Sequence, residues 1–66
     1  STYALKLDDT GTGTTYVGES VPGSATSAAA WRVKKILSTG PDLDITWAGG
    51  GTFAHAWDDR ATLTYI

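Results

Sequence analysis

The stretch Trp31-Arg32-Val33-Lys34-Lys35-Ile36-Leu37-Ser38-Thr39-Gly40-Pro41-Asp42-Leu43-Asp44-Ile45-Thr46-Trp47 decides the fold. Trp31, Val33 and Lys35 fall on one side of an extended chain, and Arg32, Lys34 and Ile36 on the other. Leu43, Ile45 and Trp47 then alternate with Asp44 and Thr46, the period-2 mark of a strand with one buried face. Gly40-Pro41-Asp42 between the two runs is turn chemistry, so the whole reads as a β-hairpin. Two adjacent lysines blur the first register, and a bulge near Lys34-Lys35 is expected. Arg32 and Lys34 on one arm face the acidic Asp44 on the other, a cross-strand charge pairing of small effect.

Upstream, Tyr3, Leu5 and Leu7 alternate with Ala4 and Lys6, which predicts a half-buried strand over 2–8. Asp8-Asp9-Thr10-Gly11-Thr12-Gly13 is a turn, and Thr14 to Gly18 a second strand, giving an N-terminal hairpin. Glu19 to Ser27, with Pro22-Gly23 inside it, is a connection. Ala28-Ala29-Ala30 permits at most one helical turn. Downstream, Gly49-Gly50-Gly51 interrupts the strand as a loop, bulge or close backbone approach. Phe53, His55 and Trp57 share a side if extended, Asp58-Asp59 turns the chain, and Leu63 and Tyr65 alternate in a last strand from Arg60 to Ile66. Thr and Ser total 16 and Gly 8, a composition that favours strands and turns over helices. The expectation is one all-β domain over 1–66: a small antiparallel sandwich or open barrel of five to six short strands.

At 66 residues the chain makes a single small domain. It has 18 residues of the Leu, Ile, Val, Phe, Trp and Tyr class and no cysteine. A domain of this size is marginal without disulfides or metal, unless its aromatic core is dense or it completes the core against another subunit. Charged residues are only 18%, which is low for a monomer that stays soluble alone, so a partner surface is expected. The net charge of -2 excludes a strong electrostatic nucleic-acid binder. No apolar run approaches the roughly 20 residues of a membrane span. The opening residues carry no signal pattern, and a Ser at position 1 fits a cytosolic product that has lost its initiator Met.

Candidate chemistry is thin. Asp8-Asp9, Asp42/Asp44 and Asp58-Asp59 are carboxylate pairs, a pattern that serves glycoside hydrolysis or calcium binding in other settings. Each lies at a predicted turn, where Asp caps its own backbone. The single His55 lacks a nucleophile elbow and is read as a packing or interface residue between Phe53 and Trp57. Gly11-Thr12-Gly13 and Gly49-Gly50-Gly51 precede no helix and carry no phosphate-binding lysine. Arg32, Lys34 and Lys35 beside Trp31 form the one basic cluster, read as a solvated strand face. No catalytic residue, cofactor or metal is assigned. Trp31, Trp47, Trp57, Phe53, Tyr16 and Tyr65 are the candidates for core or interface, with Trp31 and Trp47 expected in the core. Three Trp and three Tyr also suit a carbohydrate-binding module, provided two Trp lie exposed and coplanar on one face.

Tyr16-Val17-Gly18-Glu19, Pro22-Gly23-Ser24-Ala25-Thr26-Ser27, Ala30-Trp31-Arg32-Val33-Lys34-Lys35-Ile36, Ile45-Thr46-Trp47-Ala48 and Trp57-Asp58-Asp59-Arg60-Ala61-Thr62-Leu63-Thr64-Tyr65 together resemble a group of small tailed-bacteriophage proteins of about this length. The resemblance covers nearly the whole chain and contains no catalytic motif. It implies a non-enzymatic virion part, either a head decoration or a neck, tail or fibre component. Such a part is made in the host cytoplasm and acts by homo-oligomerisation or by docking on a larger virion protein.

Overall fold

A computed structural model describes residues 2–66. Its frame is one open antiparallel sheet in the order β1-β2-β3-β4, with β1 at Ala4–Asp9, β2 at Thr14–Ser20, β3 at Arg32–Thr39 and β4 at Asp42–Trp47. The β3–β4 hairpin closes through Gly40-Pro41 between the paired Thr39 and Asp42. The pairing of β2 with β3 runs without interruption from Thr14↔Leu37 to Glu19↔Arg32, so there is no bulge at Lys34-Lys35. Among the described residues the chain is therefore all-β in character, with four strands in one open sheet where five to six in a sandwich or barrel were expected.

The expected last strand from Arg60 to Ile66 is replaced by a wrap, which begins at the three glycines. Gly49, Gly50 and Gly51 all have positive φ (57°, 71° and 88°), a tight reversal that side-chain-bearing residues would strain. The reversal brings His55 beside Trp31, where two backbone hydrogen bonds of 2.8 and 3.1 Å form a single bridge. The chain then turns into a 3-10 helix over Trp57–Thr62 instead of extending. Asp58 N–H donates to the Thr26 carbonyl at 3.1 Å, and Arg60 Nε donates to Asp8 Oδ2 at 2.9 Å, which fastens this helix over the sheet. The chain rejoins the sheet at its end, where Tyr65 bridges Ala48 and Ile66 N–H donates to the Trp47 carbonyl at 3.3 Å.

The wrap covers one face. Residues paired across an antiparallel sheet share a face, so Tyr16, Gly18, Val33 and Lys35 stand together under it. Trp31, Val33, Ala48 and Trp57 form the buried core, with Tyr16, Leu63 and Tyr65 packed against it. Gly18 is the seat of this packing: a Cβ there would lie 2.5 Å from Trp57 and 3.2 Å from Trp31. A glycine in a central strand marks such a close approach. Ser20, fully buried, places its Oγ 2.7 Å from the Ala30 carbonyl and 2.9 Å from Ser24 Oγ, which ties the 21–30 connection to the sheet. Trp31 Nε1 donates to the Ala25 carbonyl at 2.9 Å and anchors the same connection.

Candidate functional site

The opposite face of the sheet is uncovered, and it is the apolar one on both edge strands. The register sets Leu5, Leu7 and Asp9 of β1, Thr15, Val17 and Glu19 of β2, Arg32, Lys34, Ile36 and Ser38 of β3, and Leu43, Ile45 and Trp47 of β4 on this side. Leu5 is 65% exposed, Leu7 68%, Leu43 61% and Ile45 52%. A one-layer sheet in water ordinarily turns its apolar residues inward and its polar residues outward. Here β1 points Lys6 and Asp8 toward the covered side, and β4 points Asp44 and Thr46 there. The total surface of 4007 Å² is what a compact chain of 6.9 kDa presents. The exposure therefore comes from which residues face out, not from a loosely folded chain.

One end of this face carries an aromatic cluster around Arg32. Its guanidinium carbon lies 4.7 Å from the Phe53 ring centroid, 5.2 Å from Trp47 and 5.9 Å from Tyr3. Tyr3 and Phe53 stack on each other with centroids 5.2 Å apart. Arg32 Nε and Nη2 both donate to Glu19 Oε1, at 3.0 and 2.7 Å. Lys34 Nζ sits 5.2 Å from the Trp47 centroid. The planar guanidinium suits this position, since it stacks on rings while its edge serves a carboxylate. The charge pair is thus Arg32 with Glu19 across β2–β3. The expected pairing with Asp44 does not occur, because Asp44 lies opposite Leu37 on the other face.

The candidate residues separate into two groups. Trp31 (2% exposed) and Trp57 (6%) are in the core, with ring centroids 6.1 Å apart, and Tyr16 and Tyr65 flank them at 6.0 Å from each other. Trp47 is not in the core: with Phe53 it belongs to the uncovered face and its rim, where its ring underlies Arg32 and Lys34. Two of the three Trp rings are therefore buried, so no pair of exposed coplanar Trp forms a sugar platform. A shallow hollow of about 330 Å³ lined by Tyr3, Val21, Ala29, Ala30 and Phe53 adjoins the aromatic cluster. A second, of about 410 Å³, lies at the β1 edge between Leu5, Lys6, Leu7, Asp8, Trp57 and Arg60.

The Asp8-Asp9 pair does structural work. Asp9 Oδ1 accepts from Gly11 N–H at 3.0 Å in the β1–β2 turn, and Asp8 holds Arg60. Among the described residues, no three His, Asp or Glu side chains converge as metal ligands would. His55 Nε2 is 3.5 Å from Thr52 Oγ1, and its backbone rather than its ring makes the bridge to Trp31. The Tyr65 pKa is pushed up to about 12, chiefly by burial and then by the neighbouring Tyr16, against a lowering by Arg60. Its hydroxyl donates to the Arg60 carbonyl at 2.7 Å, a bond that only the protonated phenol makes.

Sequence reasoning missed the exposed leucines as a surface, because alternation reveals two faces without saying which is covered. The signal was Gly18: a central-strand glycine names the face that a large ring can approach. No protein-family model, curated protein or solved structure matches the chain.

Proposed function

We propose that this chain is a non-enzymatic structural part of a tailed-bacteriophage particle, a head decoration or a neck, tail or fibre component. It works by burying its open sheet face against another protein subunit. The carrying observation is that face: Leu5, Leu7, Leu43 and Ile45 all stand more than half exposed on one side of one sheet. Large apolar side chains left exposed on one face in this way mark an interaction site. The small core supports the same reading, since only Trp31, Val33, Ala48 and Trp57 are buried hydrophobics among the described residues. The resemblance to small phage proteins supplies the setting, and the virion is the proposed location. Docking on the open face would supply the second layer, so that the sandwich expected from the sequence is completed between subunits. Many copies on a symmetric particle would then hold through effective concentration.

The test is the protein content of purified particles from a phage that encodes this chain. Recovery at a fixed copy number per particle, retained through a density gradient, is the expected result. Absence from particles overturns the proposal. A calorimetric response to a glycan library would redirect it to the carbohydrate module.

A further inference from the structure

We propose that the open face of the sheet is covered by a second copy of this chain, in a face-to-face two-fold dimer whose axis runs parallel to the strands. The inference deepens the structural reading above by naming the partner of that surface.

Charge placement argues for self-association in this orientation. Leu5, Glu19 and Arg32 lie in one cross-strand row, and Leu7, Val17, Lys34 and Trp47 in the next. A two-fold axis between β2 and β3, parallel to the strands, sets β2 of one copy over β3 of the other. Glu19 then meets the second copy's Arg32, and Arg32 its Glu19. The two ion pairs close into a ring of alternating sign, so that each of these charges faces an opposite one across the interface. Lys34 falls opposite Val17, where its stem covers the methyls while its ammonium stays on its own Trp47. On the outer strands the same operation, which keeps each row opposite itself, lays Leu7 over Trp47, with Ile45 one row further along opposite Asp9, and leaves Leu5 past the end of β4. With the axis perpendicular to the strands, β2 would lie over β2 and β3 over β3, and Glu19 would no longer meet Arg32.

The area suffices. Four strands about 4.8 Å apart and about seven residues long, at about 3.3 Å per residue, make a flat footprint of roughly 450 Å². Side-chain relief and the Tyr3–Phe53 rim add to this footprint, which places it near the roughly 500 Å² per partner at the lower end of specific interfaces. Two sheets stacked about 10 Å apart in this way form an aligned sandwich, and the surface patch is the same on both copies, as a closed two-fold dimer requires.

The experiment is sedimentation equilibrium of the full chain over a wide concentration range, with Leu7→Lys and Ile45→Lys beside it. Both positions are exposed, so each variant keeps its fold by circular dichroism. The expected result is a wild-type mass of twice 6.9 kDa and a dimer weakened roughly 30-fold or more in each variant. A wild-type monomer at millimolar concentration overturns the inference, as does a dimer that both variants leave intact. Orientation is read by mixing Leu7→Cys and Ile45→Cys chains, since the protein has no cysteine of its own. A short bis-maleimide is expected to join unlike chains, and preferential joining of Leu7→Cys to itself overturns the stated axis. The two proposals fail separately. A monomer that is nonetheless recovered in particles defeats only the dimer, and a dimer absent from particles defeats only the virion role.

Discussion

Trp57 rests on Gly18, its Cε3 only 2.5 Å from where a Cβ at that glycine would stand. The wrap closes over the sheet at this point because β2 offers no side chain there, and the four-residue core assembles around the contact.

Gly18→Ala is therefore expected to destabilise. Alanine reduces the chain's conformational cost by about 0.5–1 kcal/mol relative to glycine. Overpacking against two indole rings costs about 3 kcal/mol, at the upper end for a filled core, because Trp57 is also held by Arg60. The net loss of about 2 kcal/mol is measured as a lowered urea midpoint, and a midpoint equal to or above wild type would mean that the ring moves aside freely.

Trp31 and Trp47 are expected to respond differently. Trp31→Ala removes a buried indole and its hydrogen bond to Ala25, a cost of about 3–5 kcal/mol that leaves a small domain largely unfolded. Trp47→Ala gives up a half-buried ring and its contacts with Arg32 and Lys34, about 1–2 kcal/mol, and the chain stays folded. Thermal melts of the two variants side by side check this, and equal losses would contradict the assignment of the two rings to opposite faces.

Ser20→Ala tests the anchoring of the 21–30 connection. The buried hydroxyl is 2.7 Å from the Ala30 carbonyl, which the variant leaves without that partner. A loss of about 1–3 kcal/mol is expected. Amide exchange should accelerate first in the connection, and uniform acceleration along the whole chain would argue against a local anchor.

Tyr65 makes stability depend on alkaline pH. Its folded pKa of about 12 lies above the ordinary 10.0, so the folded state holds the proton more tightly than the unfolded one. The associated stability is fully present below pH 10.0 and is lost as pH rises from there toward about 12. Tyr65→Phe should cost about 1 kcal/mol at neutral pH through the lost bond to Arg60, and should flatten the alkaline fall. The check is the difference in urea midpoint between wild type and variant across that window, and a constant difference would contradict the shift.

The strands of the sheet were legible because alternation and turn chemistry act locally. Leu43-Asp44-Ile45-Thr46-Trp47, and the split of Val33 from Arg32, need only the two-residue period of an extended chain. The C-terminal segment was misleading for the same reason. Leu63 and Tyr65 face the core two residues apart as a strand would place them, yet the segment meets the sheet only at its end, through the Tyr65–Ala48 bridge and the bond from Ile66 N–H to the Trp47 carbonyl. Arg32 was legible as an outward residue, but its partner was not. Glu19 is 13 positions away and meets it only through the β2–β3 register.

The sequence by itself thus determined the all-β character, the two hairpins and the two faces of each strand, all set by neighbours within a few residues. Only the tertiary structure decided which face is covered, because that depends on where a distant ring finds room. Trp57 finds it above Gly18, and Leu5, Leu7, Leu43 and Ile45 are left on the open side.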